Sequence, residues 1–206
     1  MINHSWLGYG YRSEIKYWLE RPVSRRLVLS TEGQKVAHTY CIFCISGNEL
    51  RLIKRLICQG YDAYSPMVKQ WKMTAYGPKQ KKVYLIPGYV FFDAMTGVEP
   101  DWFYLKSMPE VIRILHYADG CYALNEKDHL FIQWINSYNN VIDISQTVQV
   151  GTKLTFVSGP LKDCSGKIIK INKNRKFVQV SFGEKNSLLR TIYCSFEYAA
   201  ANLNKI

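Results

Sequence analysis

A chain of 206 residues, 48% of them apolar, can bury one large core or two small ones. Its 27 Lys/Arg against 16 Asp/Glu give a net charge of +11, which points to a polyanionic partner. No apolar run approaches the roughly 18 residues of a membrane-spanning helix. The first 20 residues contain Arg12, Glu14, Lys16 and Glu20 rather than an apolar leader, so the expectation is a cytoplasmic protein with no membrane partner.

The charge is unevenly spread. Residues 1–38 hold six Lys/Arg against three Asp/Glu, residues 39–139 hold eleven against nine, and residues 148–206 hold ten against three. The basic part is therefore the final third, which suits nucleic acid.

In chain order, residues 1–38 read as an N-terminal extension of unassigned role. Ser13 suits the cap of a short helix through Leu19, and Pro22 ends it. Residues 39–139 alternate strand and helix. Tyr40–Ile45 reads as an apolar strand, turned by Gly47-Asn48. Asn48 suits the cap of a helix from Glu49 to about Gln59, with Leu52, Ile53, Leu56 and Ile57 at helical spacing. Ala63–Trp71 reads as a strand and Lys72–Lys82, with Gly77-Pro78, as a basic hairpin tip. Val83–Phe92 reads as the longest strand.

A short helix is expected over Asp101–Lys106 and a strand over Val111–His116. Asn125 caps a further helix, whose Leu130, Phe131, Trp134, Ile135 and Tyr138 form one apolar stripe. Residues 140–147 read as a linker. Beyond them the period changes to two, with short β runs at Lys153–Val157, Gly166–Ile171, Lys176–Phe182 and Leu188–Cys194. Evenly spaced strands over about 55 residues predict a small barrel. The fold class expected is α+β: an α/β sandwich over 39–139, then a small five-stranded β-barrel over 148–206.

The chain has six cysteines. Cys41 and Cys44 form a C-x-x-C, but they fall in Tyr40-Cys-Ile-Phe-Cys-Ile45, which reads as a strand. Side chains three apart on a strand point to opposite faces. No second close Cys/His pair completes four zinc ligands. No P-loop, nucleophile elbow or paired metal-ligand motif is present either. The sequence predicts neither catalysis, nor a cofactor, nor a metal.

Two motifs carry a family resemblance. Ile86-Pro-Gly-Tyr-Val90 resembles the central Phe-Pro-Gly-Tyr-Val of the NusG N-terminal (NGN) domain. Thr39-Tyr-Cys-Ile-Phe-Cys stands where that family opens with Trp-Tyr, so Thr39 is a departure. Trp102-Phe-Tyr-Leu-Lys-Ser-Met-Pro-Glu-Val-Ile resembles the helix and strand that follow. Residues 148–183 resemble a KOW module, with Val150-Gly, Gly159-Pro-Leu, Asp163 and Gly166 in their usual order.

The resemblance implies a transcription elongation factor with a two-part design. Its NGN domain would bind the clamp helices of RNA polymerase and suppress pausing. Its KOW domain would meet nucleic acid or other factors, such as a ribosomal protein. By family position, polymerase binding falls to Phe43, Ile86, Tyr89, Phe91, Trp102, Phe103 and Tyr117.

The branch most resembled is the specialised LoaP-type antiterminator, which reads an RNA hairpin in a nascent leader transcript. Thr39, the N-terminal extension and the basic C-terminal part favour it. The RNA-binding set is then Lys153, Lys162, Lys167, Lys170, Lys173, Arg175, Lys176, Lys185 and Arg190. The β-branched content of Lys167–Phe182 argues against an RfaH-like helical form of this segment. The alternatives are a general NusG elongation factor and a ribosome-associated KOW protein that binds RNA.

Overall fold

The computed structural model describes residues 38–94, 99–151, 153–182 and 191–199. The first 37 residues, including the expected Ser13 helix, lie outside the described residues. In chain order the elements are β1 (His38–Cys44), α1 (Glu49–Cys58), β2 (Asp62–Tyr64), β3 (Met67–Thr74), β4 (Gly77–Tyr84), β5 (Tyr89–Ala94) and α2 (Trp102–Ser107). They continue with β6 (Val111–Ile114), α3 (Glu126–Ser137), β7 (Val141–Ile142), β8 (Ser145–Val150), β9 (Lys153–Ser158), β10 (Lys167–Asn172), β11 (Phe177–Ser181) and β12 (Thr191–Tyr198). The described residues form two compact units, one from 38–65 and 88–123, the other from 66–87 and 124–199.

The first unit is a four-stranded antiparallel sheet, order β2-β5-β1-β6, with α1 and α2 on one face. The period-two alternation of β1 turns Tyr40, Ile42 and Cys44 towards the helices. There they join Leu52, Ile53 and Leu56 of α1, Val90, Phe92 and Ala94 of β5, and Leu105 of α2. Tyr40 stacks on Phe92 at 5.2 Å. α1 starts at Glu49 as expected, but its N-terminus is not closed by the Asn48 side chain. The buried Glu49 carboxylate turns back instead and accepts from the Gly47 N–H at 2.7 Å. α2 is capped by Asp101, whose Oδ1 accepts from the Tyr104 N–H at 3.0 Å.

The second unit begins with the long β3–β4 hairpin, which β7 extends in parallel to give a three-stranded sheet. Two sequence expectations change here. Ala63–Trp71 is not one strand, because Ser65-Pro66 separates β2 from β3. Val83–Phe92 is not one strand either, because Pro87-Gly88 separates β4 from β5. Proline has no N–H for the ladder, which breaks both runs. α3 is capped as expected, Asn125 Oδ1 accepting from the Asp128 N–H at 2.8 Å. Its stripe is shifted: Phe131, Ile132 and Ile135 are buried while Leu130 is exposed. Segment 140–147 contains β7 and the start of β8.

A five-stranded sheet, order β10-β11-β12-β8-β9, completes this unit. Val178, Val180, Ile192, Cys194 and Phe196 are buried on it. Among the described residues its pairings leave β10 and β9 as free edges, so it is an open sheet rather than the closed barrel expected. Bulges at Gln146–Thr147 and Ile168–Lys170 bend it. A Cβ on Gly166 would lie 2.4 Å from Val180 Cγ1, which is why that turn needs a residue without one. Phe182 sits 4.6 Å from the ring of Phe131 and 5.2 Å from that of Trp134, and Tyr138 donates to Asp163 Oδ2 at 3.1 Å.

Candidate functional site

The Pro87-Gly88 turn sets up the site in the first unit. Gly88 has φ +83°, and a Cβ there would lie 3.0 Å from Phe43 Cε2 and 3.2 Å from the Cys44 carbonyl oxygen. Only glycine fits such a place without strain. The Gly88 N–H donates to Glu49 Oε1 at 2.8 Å, and its carbonyl accepts from the Cys44 N–H at 2.7 Å. One buried carboxylate thus ties the start of α1 to the turn entering β5. Ser65 Oγ donates to the Tyr89 carbonyl at 2.7 Å, fixing the next residue from the other side.

That turn delivers Tyr89 directly opposite Phe43 in the β1–β5 ladder, with ring centroids 5.1 Å apart. On the other side of β1, Phe43 pairs with Arg113 of β6, whose guanidinium lies 5.6 Å from the Phe43 ring. Tyr89, Phe43 and Arg113 therefore form one row across three strands, two aromatics ending in an exposed cation. Both rings are half-buried, so they are positioned by the sheet and still reachable. A row like this can receive an amphipathic helix, its apolar side on the rings and an acidic residue at Arg113.

Of the residues predicted for this surface, the structure brings Phe43 and Tyr89 together. Phe91 is corrected: it shares their face by period two, but it is fully buried and stacked on Tyr64 at 6.0 Å. Trp102 is held between Tyr40 at 5.2 Å and Tyr122 at 4.6 Å, and its Nε1–H donates to Glu99 at 3.0 Å. It supports α2 from within, while its neighbour Phe103 is 86% exposed. Tyr117 is half-buried in a loop closed by its N–H donating to the Cys121 carbonyl at 2.9 Å. Ile86 is half-buried and belongs to the second unit.

Sequence reasoning missed Arg113, because its place beside Phe43 exists only once the β1–β6 register is known. It also missed Glu49, whose buried carboxylate looks from sequence like an ordinary first-turn acid. Thr39, the departure from Trp, is buried, and its hydroxyl donates to Asp93 Oδ1 at 2.6 Å. A second buried acid, Glu110, has Oε1 at 2.8 Å from Arg51 Nε and 3.1 Å from Arg55 Nε. The pairing is one of distance, without the alignment of hydrogen bonds.

Cys41 and Cys44 are both buried, on opposite faces of β1. Burial, and after it the Glu49 carboxylate, pushes the Cys44 thiol up to about 11. Burial likewise raises Cys194 and Cys164. Such thiols behave as small apolar residues. Among the described residues no cluster of His, Cys, Asp and Glu could hold a metal.

Lys167 and Lys170 on β10, Lys162 in the β9–β10 connection, and Lys173, Arg175 and Lys176 beyond β10 are all exposed. Arg175 and Lys176 lie in the β10–β11 turn, which Asn172 shapes by accepting from the Arg175 N–H at 2.8 Å. Lys173 Nζ lies 3.4 Å from Gln149 Oε1. Between the lysines of β10, Ile168, Ile169 and Ile171 are also exposed. Lys185 and Arg190 lie outside the described residues, as does the side chain of Lys153.

Residues 37–133 match the family model described as "Transcription termination factor nusG". The matched stretch is 97 of the 206 residues, just under half of the chain. Among solved structures the chain is similar to one from Thermotoga maritima, described as "Domain interaction in Thermotoga maritima NusG". The identity is 20%, the match covers 79% of this chain and 94% of that one, and the TM-score is 0.43. A search of the curated proteins gave no match. Among the described residues no helix is long and apolar enough to cross a membrane.

Proposed function

We propose that this protein is a transcription elongation and antitermination factor that docks on the clamp helices of RNA polymerase through the Tyr89–Phe43–Arg113 row. The observation that carries the reading is that row, held by the Gly88 turn inside the stretch that matches the NusG family model. A helical partner presenting an apolar stripe and an acid gains from both rings and from the cation. Phe103, exposed on α2, serves as a second contact.

The basic five-stranded sheet acts as a KOW-type module that meets a folded leader RNA. Its exposed Lys167, Lys170, Lys173, Arg175 and Lys176 supply phosphate contacts, and the β10–β11 turn offers a narrow tip for a groove or loop. This favours a specialised, LoaP-like role. The exposed isoleucines of β10 favour a second reading, a general elongation factor whose sheet docks on a protein such as a ribosomal one.

The test is co-purification of RNA polymerase with the full chain and with Tyr89→Ala and Arg113→Glu. Both variants should lose polymerase, and undiminished capture would remove the clamp assignment. RNA binding by Lys167→Gln/Lys170→Gln/Lys173→Gln, measured against salt, tests the other half: an unchanged salt slope would leave the protein-docking reading in place.

A further inference from the structure

The β3–β4 hairpin is absorbed by neither surface described above. Residues 66–87 contain five lysines and no acidic residue. The register sorts these charges by face. Lys72 lies directly opposite Lys79, and Lys81, opposite Gln70, shares their face two residues along. Lys69 faces Lys82 on the other side, where Asp143 forms an ion pair with Lys69. Like charges facing across a ladder cost stability. Among the described residues no ion pair relieves Lys72, Lys79 or Lys81. A row of this kind is stable only modestly by itself and gains when an anion lies along it.

The tip adds a different chemistry. Tyr76 is 91% exposed, with Lys79 Nζ 5.9 Å from its ring centroid. The turn that presents it is shaped, since Thr74 Oγ1 donates to the Gly77 carbonyl at 2.7 Å and accepts from the Tyr76 N–H at 3.2 Å. At its base the hairpin is anchored by buried Val68. It is thus a held arm with a lysine row along one face and an aromatic ring at its end.

We propose that this arm binds single-stranded nucleic acid, the row Lys72–Lys79–Lys81 following the phosphates and the Tyr76 ring stacking on a base. Single strands are favoured over duplex because an aromatic ring in solvent finds a partner only in an unstacked base. Duplex would engage the lysines and leave Tyr76 idle. The site is distinct from the aromatic row of the first unit and from the basic five-stranded sheet.

The experiment uses the full chain carrying Lys167→Gln/Lys170→Gln/Lys173→Gln, so that the basic sheet contributes less. Anisotropy of a labelled 12-nucleotide oligo-dT is followed across a salt series. Adding Lys72→Gln/Lys79→Gln/Lys81→Gln should reduce the slope of log affinity against log salt by about 2, from about 0.7 per phosphate contact. Tyr76→Ala should weaken binding about 5- to 100-fold, and Tyr76→Phe should restore it. Unchanged slope and affinity in these variants would overturn the proposal. So would a duplex of equal length bound as tightly and indifferent to Tyr76→Ala.

Discussion

Replacing Gly88 with alanine tests whether the turn holds the site. The new Cβ meets two obstacles at once. At φ +83° the left-handed conformation costs a non-glycine residue about 1–2 kcal/mol. The methyl also sits 3.0 Å from Phe43 Cε2 and 3.2 Å from both the Cys44 carbonyl and Ser46 Oγ. One of these neighbours is backbone and cannot swing away, so overpacking adds about 1–2 kcal/mol. The total of about 2–4 kcal/mol corresponds to a melting point lower by about 5–15 °C.

Gly77→Ala is the matched control, with φ +101° but nothing within 4 Å of its Cβ. It should lose only the conformational part. Thermal unfolding followed by circular dichroism separates the two. Equal melting points for Gly88→Ala and Gly77→Ala would refute the close-approach argument, and a Gly88→Ala protein as stable as the parent would refute both parts. Because the clash pushes on Phe43, Gly88→Ala should also weaken partner binding in the surviving folded fraction, which Gly77→Ala should not.

Gly166→Ala should destabilise the five-stranded sheet by about 1–3 kcal/mol, since its Cβ would meet Val180 Cγ1 at 2.4 Å and Phe182 Cζ at 2.9 Å; denaturant unfolding checks this. Native alkylation at pH 8 should label exposed Cys121 and Cys58 while sparing Cys41, Cys44 and Cys194, as peptide mass mapping would read out; early labelling of Cys44 would contradict its burial. The Cys44 thiol is raised from 9.0 to about 11 in the folded state, so its contribution to stability is full below pH 9 and is lost as pH rises towards 11. Cys44→Ala should flatten that part of the alkaline melting profile.

Element types were legible wherever period and cap agreed. The helix opened by Asn125 and the strands around Val178 and Val180 follow from local patterns alone. Breaks inside apolar runs were harder, because Ser65-Pro66 and Pro87-Gly88 interrupt stretches that remain apolar on both sides. Period two placed Tyr89 and Phe91 on one face correctly, yet it says nothing about which part of that face is covered. Phe91 is consequently core where a surface residue was expected.

Segment 140–147 lacks helical periodicity, which resembles a linker until β3 supplies a partner for Val141–Ile142. Arg113 and Glu49 were invisible as site residues for a related reason. Their roles depend on β1–β6 pairing and on a carboxylate reaching residue 88, 39 positions away.

The most direct test of the central claim is a photo-crosslinking amino acid placed at position 89 of the full chain in cells. The account predicts crosslinks to the clamp helices of RNA polymerase, lost when Arg113→Glu is added. Crosslinks confined to ribosomal proteins, or polymerase crosslinks outside the clamp, would contradict it.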